Sequence, residues 1–221
     1  MWAGPNRNEA RRATSVAQRL VTWYETHGRD FPWRAPTSAP YQQIVTEVLL
    51  QQTRAETVAQ VYHDFFATYP SWAQLAESPR AVLEQSLRPL GIWRRRAQAL
   101  QSLGDAMVQR DGIFPSCRAD CEQLPGVGQY VASAALLFQH GRPEPLLDGN
   151  MARVIERYFH PRTLADIRYD PWLQWIARRV ISNGSYQATN WAMLDLAATI
   201  CTHKIPRCEI CPLRKGCAYH A

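Results

Sequence analysis

The chain has 221 residues, 46% hydrophobic and 20% charged, which is the make-up of a globular protein with material for one large or two small cores. Basic residues outnumber acidic ones 25 to 19, giving a formal net charge of +6 that suits a polyanionic partner. No long apolar run, secretion signal or lipidation motif is visible, so no membrane partner is expected and a soluble, cytoplasmic protein is the default; a monomer is the separate expectation.

The basic set is almost entirely arginine; the only lysines are Lys204 and Lys215. Arginine favours bidentate contact with phosphate and stacking on bases, although a GC-rich genome would produce the same bias.

Along the chain, positions 14–26 place Val16, Leu20, Val21 and Trp23 on one helical face. His27-Gly28-Arg29-Asp30 breaks that helix, and Phe31-Pro32-Trp33-Arg34 reads as an extended aromatic connection. A second helix starts near Pro40, with Tyr41, Ile44, Val45, Val48 and Leu49 as its apolar stripe. Glu47 falls off that stripe, on a polar face with Gln43, Gln51 and Arg54, where a lone carboxylate is usually solvated. Helical patterns recur at 55–68, 71–76, 79–87, 93–110 and 119–124, and later at 151–159, 170–182 and 190–201. No run of alternating β-branched residues stands out, so the fold class is all-α.

Between these groups lies 124–150. Gly126-Val127-Gly128, after Pro125, allows a sharp turn and close approach of another molecule, and the amides opening the next helix suit a phosphate oxygen. A structural helix–helix connection would look the same. Asp148-Gly149-Asn150 then stands at the entrance to a further helix, where an N-cap is the ordinary role of an aspartate.

The C-terminus carries Cys201, Cys208, Cys211 and Cys217 in a Cys-x6-Cys-x2-Cys-x5-Cys array. Four thiols in so short a stretch point to a soft-metal centre. Structural zinc suits four cysteines, but one short pair inside longer loops favours an iron–sulfur cubane. Cys117 and Cys121, at helical spacing outside the array, read as packing thiols.

Taken together, RDFPWR at 29–34, TEVLLQQT at 46–53, LPGVGQY at 124–130, LDGNMARV at 147–154 and the four cysteines resemble the helix-hairpin-helix (HhH-GPD) DNA glycosylases of the endonuclease III superfamily. The resemblance implies a two-lobed all-α fold. Residues 35–145 would form a helical barrel lobe ending in the hairpin; 1–34 plus 146–221 would form a second helical lobe with a [4Fe-4S] cluster loop at 201–217. The implied partner is double-stranded DNA containing a mispaired or damaged base, which is flipped out of the stack. Gly126, Val127, Gly128 and Gln129 would grip backbone phosphate through main-chain amides without reading sequence.

Breaking an N-glycosidic bond builds positive charge on the sugar, which a buried carboxylate can stabilise. The resemblance puts Asp148 in that role and Glu47 in the base pocket, where it would donate a proton or hydrogen bond to the departing base. Relatives that cut the strand use a lysine where this chain has Tyr130, so a glycosylase without lyase activity is expected, leaving an abasic site. Gln51 and Gln52 would approach the vacated position, and Ile92 and Trp93 would wedge between bases of the other strand, flanked by Arg94, Arg95 and Arg96 as phosphate contacts.

Two substrate groups compete. Gln51-Gln52-Thr53 and Asp148-Gly149-Asn150 resemble adenine glycosylases acting opposite guanine or 8-oxoguanine. Two departures oppose that likeness: adenine glycosylases usually carry a further C-terminal domain whereas this chain ends four residues after the last cysteine, and Gly91-Ile92-Trp93-Arg94 has the shorter loop form of mismatch thymine glycosylases and endonuclease III, so thymine or uracil opposite guanine is the leading expectation. A DNA-binding module with a structural metal and no catalysis is the alternative of another class.

Overall fold

The computed structural model describes residues 4, 6–183 and 185–220. Among them the elements are α1 (Arg7–His27), α2 (Pro40–Leu49), α3 (Ala55–Thr68), α4 (Trp72–Glu77), α5 (Arg80–Leu87), α6 (Trp93–Val108), α7 (Arg118–Cys121), α8 (Gln129–Phe138), α9 (Gly149–Tyr158), α10 (Pro171–Ile181) and α11 (Tyr186–Thr199), with single 3-10 turns at Pro32–Arg34, Arg88–Leu90 and Cys208–Ile210. No strand occurs among the described residues, so the fold is all-α. None of these helices is long and apolar enough to cross a membrane.

The chain divides into two compact units, Asp30–His140 and a second made of Met1–Arg29 with Gly141–Ala221. The boundaries fall five residues earlier at each end than the range 35–145 read from the sequence.

In the unit formed by the two chain ends, α1 packs on α10 and α11, and α9 packs on the same two helices. α1 starts at Arg7, well before the predicted 14, because Asn6 caps it by accepting from the Asn8 amide at 2.9 Å. α11 starts four residues before its predicted first residue, Asn190, so Asn190 is helix interior and fully buried. There its side chain accepts the Leu146 amide at 2.7 Å and donates to the Glu144 carbonyl at 3.1 Å, tethering the segment leading to Asp148. Buried Asp195, also on α11, accepts from the Arg29 Nε and main-chain amide at 2.8 Å each.

In the other unit, α4 and α5 pack on α6, and α2 packs on α8. Here α2 departs from the sequence expectation: the supposed polar positions Gln43, Thr46 and Glu47 are as buried as the apolar stripe. From Gln43 to Leu49 the helix is enclosed and has no solvent face, so its periodicity no longer marks exposure there.

Candidate active site

Glu47 is the buried group of greatest chemical interest. It is 2% exposed, and its Oε2 accepts the hydroxyl hydrogen of Tyr130 at 2.8 Å. Tyr130 lies in the first turn of α8, directly after the hairpin, so the packing of α2 on α8 brings these two sequence-selected residues together. A carboxyl group buried this deeply must be hydrogen-bonded, and the phenol supplies one donor.

The hairpin itself is α7, a turn closed by the Val127 amide on the Leu124 carbonyl at 3.1 Å, and α8. Its two glycines differ in kind. Gly126 has φ +72° and a Cβ there would meet Ala99 Cβ at 3.1 Å, so glycine is needed for the fold. Gly128 is extended, with nothing within 4 Å of the place a Cβ would occupy; its backbone is open to another molecule. No side chain caps α8 at Gly128, while Val127 is buried beneath the turn. Arg118 fixes the first turn of α8, donating to the Gln129 carbonyl at 3.1 Å and to Ser133 Oγ at 2.9 Å.

α2 ends at Leu49, and Gln51 and Gln52 stand exposed in the following turn, Gln52 at φ +55°. The second loop has the same character: after Gly91, Ile92 adopts φ +39° and is 44% exposed. A β-branched residue in the left-handed region is rare and stores about 1–3 kcal/mol of strain, a feature that concentrates at functional loops. Trp93 follows as the first residue of α6, half-buried, with the Arg94 guanidinium over its ring at 4.2 Å and that of Arg88 at 5.4 Å. Arg94 and Arg95 are exposed. Arg96 is not a surface phosphate contact as the sequence suggested: it is 3% exposed, and its guanidinium is spent on main-chain carbonyls of its own unit.

In the unit made by the chain ends, Asp148 caps α9. Its Oδ1 accepts the amides of Asn150 and Met151 at 2.9 and 2.8 Å, and its Oδ2 accepts from Asn150 Nδ2 at 2.7 Å. The ordinary capping role therefore holds, and it fixes a half-buried carboxylate in one orientation. Asn150 Oδ1 in turn accepts from Arg153 Nη1 at 3.1 Å, and Arg153 donates through Nε to the Cys201 carbonyl at 2.9 Å and through Nη2 to that of Ala197 at 3.0 Å. A continuous hydrogen-bonded chain thus links Asp148 to the first cysteine of the array. Sequence reasoning missed it, although Asn150 and Arg153 sit at i, i+3 one turn apart on the same helix face.

Cys201, Cys208, Cys211 and Cys217 line one recess, together with Arg157 and Ile200. The surrounding loops have little core of their own, and their carbonyls are instead held by arginines from α1 and α9. Arg12 donates to the Gly216 carbonyl at 3.0 Å and Arg19 to that of Lys215 at 2.9 Å. Arg157 donates to the carbonyls of Thr202 and His203 at 2.7 and 2.9 Å and to Cys201 Sγ at 3.4 Å. Burial, with the neighbouring Cys217 and Cys201, pushes the Cys208 thiol pKa up; burial likewise raises Cys211. Four ionised sulfurs so placed would repel one another unless a cationic centre took up their charge, so the donor set fits a metal centre. No three His, Cys, Asp or Glu among the described residues are grouped to hold a single ion. Cys121 is buried, donating to the Pro115 carbonyl at 3.1 Å, and Cys117 is exposed.

Residues 45–168 match the family model of the HhH-GPD superfamily base excision DNA repair protein. A thymine-DNA glycosylase of Aeropyrum pernix is 38% identical over 214 residues, covering 95% of this chain and 96% of the relative. An adenine DNA glycosylase of Buchnera aphidicola subsp. Baizongia pistaciae is 31% identical over 90% of this chain, which spans 57% of that protein. The solved structure of a thermostable thymine-DNA glycosylase superposes with a TM-score of 0.83 at 29% identity, over 95% of this chain and 97% of that one. The motifs, the helical architecture and these likenesses agree: this chain belongs to the HhH-GPD superfamily of base excision DNA repair proteins.

Proposed function

We propose that the protein is a monofunctional DNA N-glycosylase that removes thymine or uracil mispaired with guanine from duplex DNA and leaves an abasic site. The observation that carries the chemistry is the fixed carboxylate of Asp148, oriented by two amides and the Asn150 side chain. As the C1′–N bond breaks, that carboxylate stabilises the positive charge growing on the sugar. Water supplies its oxygen to C1′ and its proton to the departing base, so the reaction balances as a hydrolysis. Glu47, hydrogen-bonded to Tyr130, is the group for the base side: in its protonated form it passes its proton to the departing base and is restored by the proton that the water gives up, so the net transfer is from water to base. The position that would carry a Schiff-base lysine is Tyr130, and both lysines lie in the cysteine loops, which supports release of base without strand scission.

The substrate preference rests on the greater identity to thymine-DNA glycosylases over nearly the whole chain and on the short Gly91–Arg94 loop. Adenine opposite guanine or 8-oxoguanine is the second reading, favoured by the Gln51-Gln52-Thr53 turn and by 31% identity to an adenine glycosylase. In either case Gly126–Gln129 bind phosphate, Gln51 and Gln52 approach the vacated position, and Ile92, with Trp93 and Arg94 beside it, enters the opposite strand.

The decisive test is Asp148→Asn. The amide keeps one oxygen for capping but carries no charge. Single-turnover base release from a T:G duplex is expected to fall by at least about a hundredfold, with duplex affinity kept within a few-fold. A variant that still released base at the parental rate would place the chemistry elsewhere.

We further propose that the four cysteines hold a [4Fe-4S] cluster. The Cys-x6-Cys-x2-Cys-x5-Cys spacing, one short pair inside longer loops, and a recess lined by all four thiols support a cubane over zinc. The cluster would hold the loops, and Arg153 and Arg157 would tie them to α9. The purified protein is expected to be brown with about four irons per chain; a colourless protein with one zinc would contradict this.

A further inference from the structure

Arg96 is buried, yet it makes no ion pair with any carboxylate among the described residues. Its Nη1 donates to the carbonyls of Leu90 and Gly91 at 3.0 and 2.6 Å. Its Nη2 donates to the Gln51 carbonyl at 2.5 Å and to Thr53 Oγ1 at 2.9 Å. Thr53 completes the link, donating its own hydroxyl to the Leu90 carbonyl at 2.7 Å. One planar guanidinium therefore bridges two loops about forty residues apart in sequence, with one nitrogen assigned to each loop.

The acceptors are not arbitrary. The Gln51 carbonyl belongs to the peptide plane preceding Gln52, and the Gly91 carbonyl to the plane preceding Ile92. Among the described non-glycine residues only Gln52, Ile92 and Asp111 have positive φ. Two of these three are the residues whose peptide planes Arg96 clamps. A strained backbone persists only where its surroundings over-determine it, and here both strains are held from one buried point.

We infer that Arg96 is a positioning residue that locks the Gln52 and Ile92 loops into one rigid duplex-opening unit, so that both side chains are set before DNA is engaged. This rests on the proposal above that Gln52 and Ile92 enter the duplex. Arg96 touches neither a reacting atom nor a base: it acts through the two loops that part the bases, so its loss should matter most where a partner base must be parted from the target.

The test compares single-turnover release of the same base from a mispaired duplex and from a duplex with an abasic-site analogue opposite the target. Arg96→Met, which keeps much of the stem, is expected to slow the mispaired substrate about tenfold and the unpaired one by less than about threefold. Its effect on the mispaired substrate should not multiply with that of the Gln52→Ala/Ile92→Ala pair, because all three remove one device. Arg96→Lys, which cannot reach both loops with a planar fork, should rescue only in part. Should Arg96→Met not fold, Thr53→Val removes two of the linking bonds and is expected to show the same selectivity at smaller size.

Equal slowing on both substrates, or effects that multiply fully, would make Arg96 a stability residue and overturn the inference. If the Gln52→Ala/Ile92→Ala pair left the mispaired rate unchanged, the loop assignment itself would fail. That result is separate from anything the Arg96 variants report.

Discussion

At the scale of single residues, burial changes what the charged side chains can do. Glu47 was placed by its helical register on a face that is usually solvated, yet it is enclosed and bonded to a phenol. Tyr130→Phe leaves that carboxyl group short of a buried donor, so stability should fall by about 1–3 kcal/mol in denaturant unfolding. Base release should slow in the same variant, and an unchanged rate would remove Tyr130 from the mechanism. Neither partner could be paired from the sequence, because 83 positions separate them and only the packing of α2 on α8 joins them. Arg96 was misjudged for the reverse reason: within Arg94-Arg95-Arg96 all three residues read alike, and only the turn of α6 sends the third inward. Asp148, by contrast, was legible as a cap, since an aspartate directly before Gly149-Asn150 at a helix entrance is placed to accept the first free amides.

At the scale of elements, the apolar stripes located nearly every helix, and the errors lie at ends. α1 and α11 extend several residues ahead of their apolar stripes, because Asn6 and the buried Thr189 and Asn190 carry them through polar sequence. α2 stops at Leu49, so Gln51 and Gln52 are turn residues and not a continuation of the Glu47 face. α10 shows how much one cap can hold. Asp170 is fully buried and accepts the amides of Thr163, Leu164 and Leu173 at 2.8–2.9 Å, with the Thr163 hydroxyl at 3.0 Å. Burial opposes its charge, but these donors together hold its pKa below the ordinary carboxylate value. A depressed folded-state pKa contributes stability above the unfolded value, which is lost as pH falls through the folded one. The melting temperature should therefore drop on acidification below about pH 4. Asp170→Asn should start lower at neutral pH and lose less over that range; parallel curves would show that Asp170 is not the titrating group.

At the scale of the whole molecule, the separate sets acquire distinct tasks. The unit Asp30–His140 carries the hairpin, the Glu47–Tyr130 pair and the two strained loops; the unit formed by the chain ends carries Asp148 and the four cysteines of the C-terminal array. The cysteine spacing was the plainest signal in the chain, while the arginines that hold its loops were invisible, because Arg12, Arg19 and Arg157 come from helices distant in sequence. A net charge of +6 on an arginine-rich chain accords with the polyanion these parts would grip. The central claim is that this assembly releases a mispaired pyrimidine and stops there. It is tested most directly with end-labelled duplexes carrying T:G, U:G, A:G and A:8-oxoguanine, each incubated with the protein and analysed with and without alkali. The account predicts cleavage of the T:G and U:G duplexes only after alkali, and little from the adenine pairs. Release of adenine alone, or strand breaks before alkali, would contradict it.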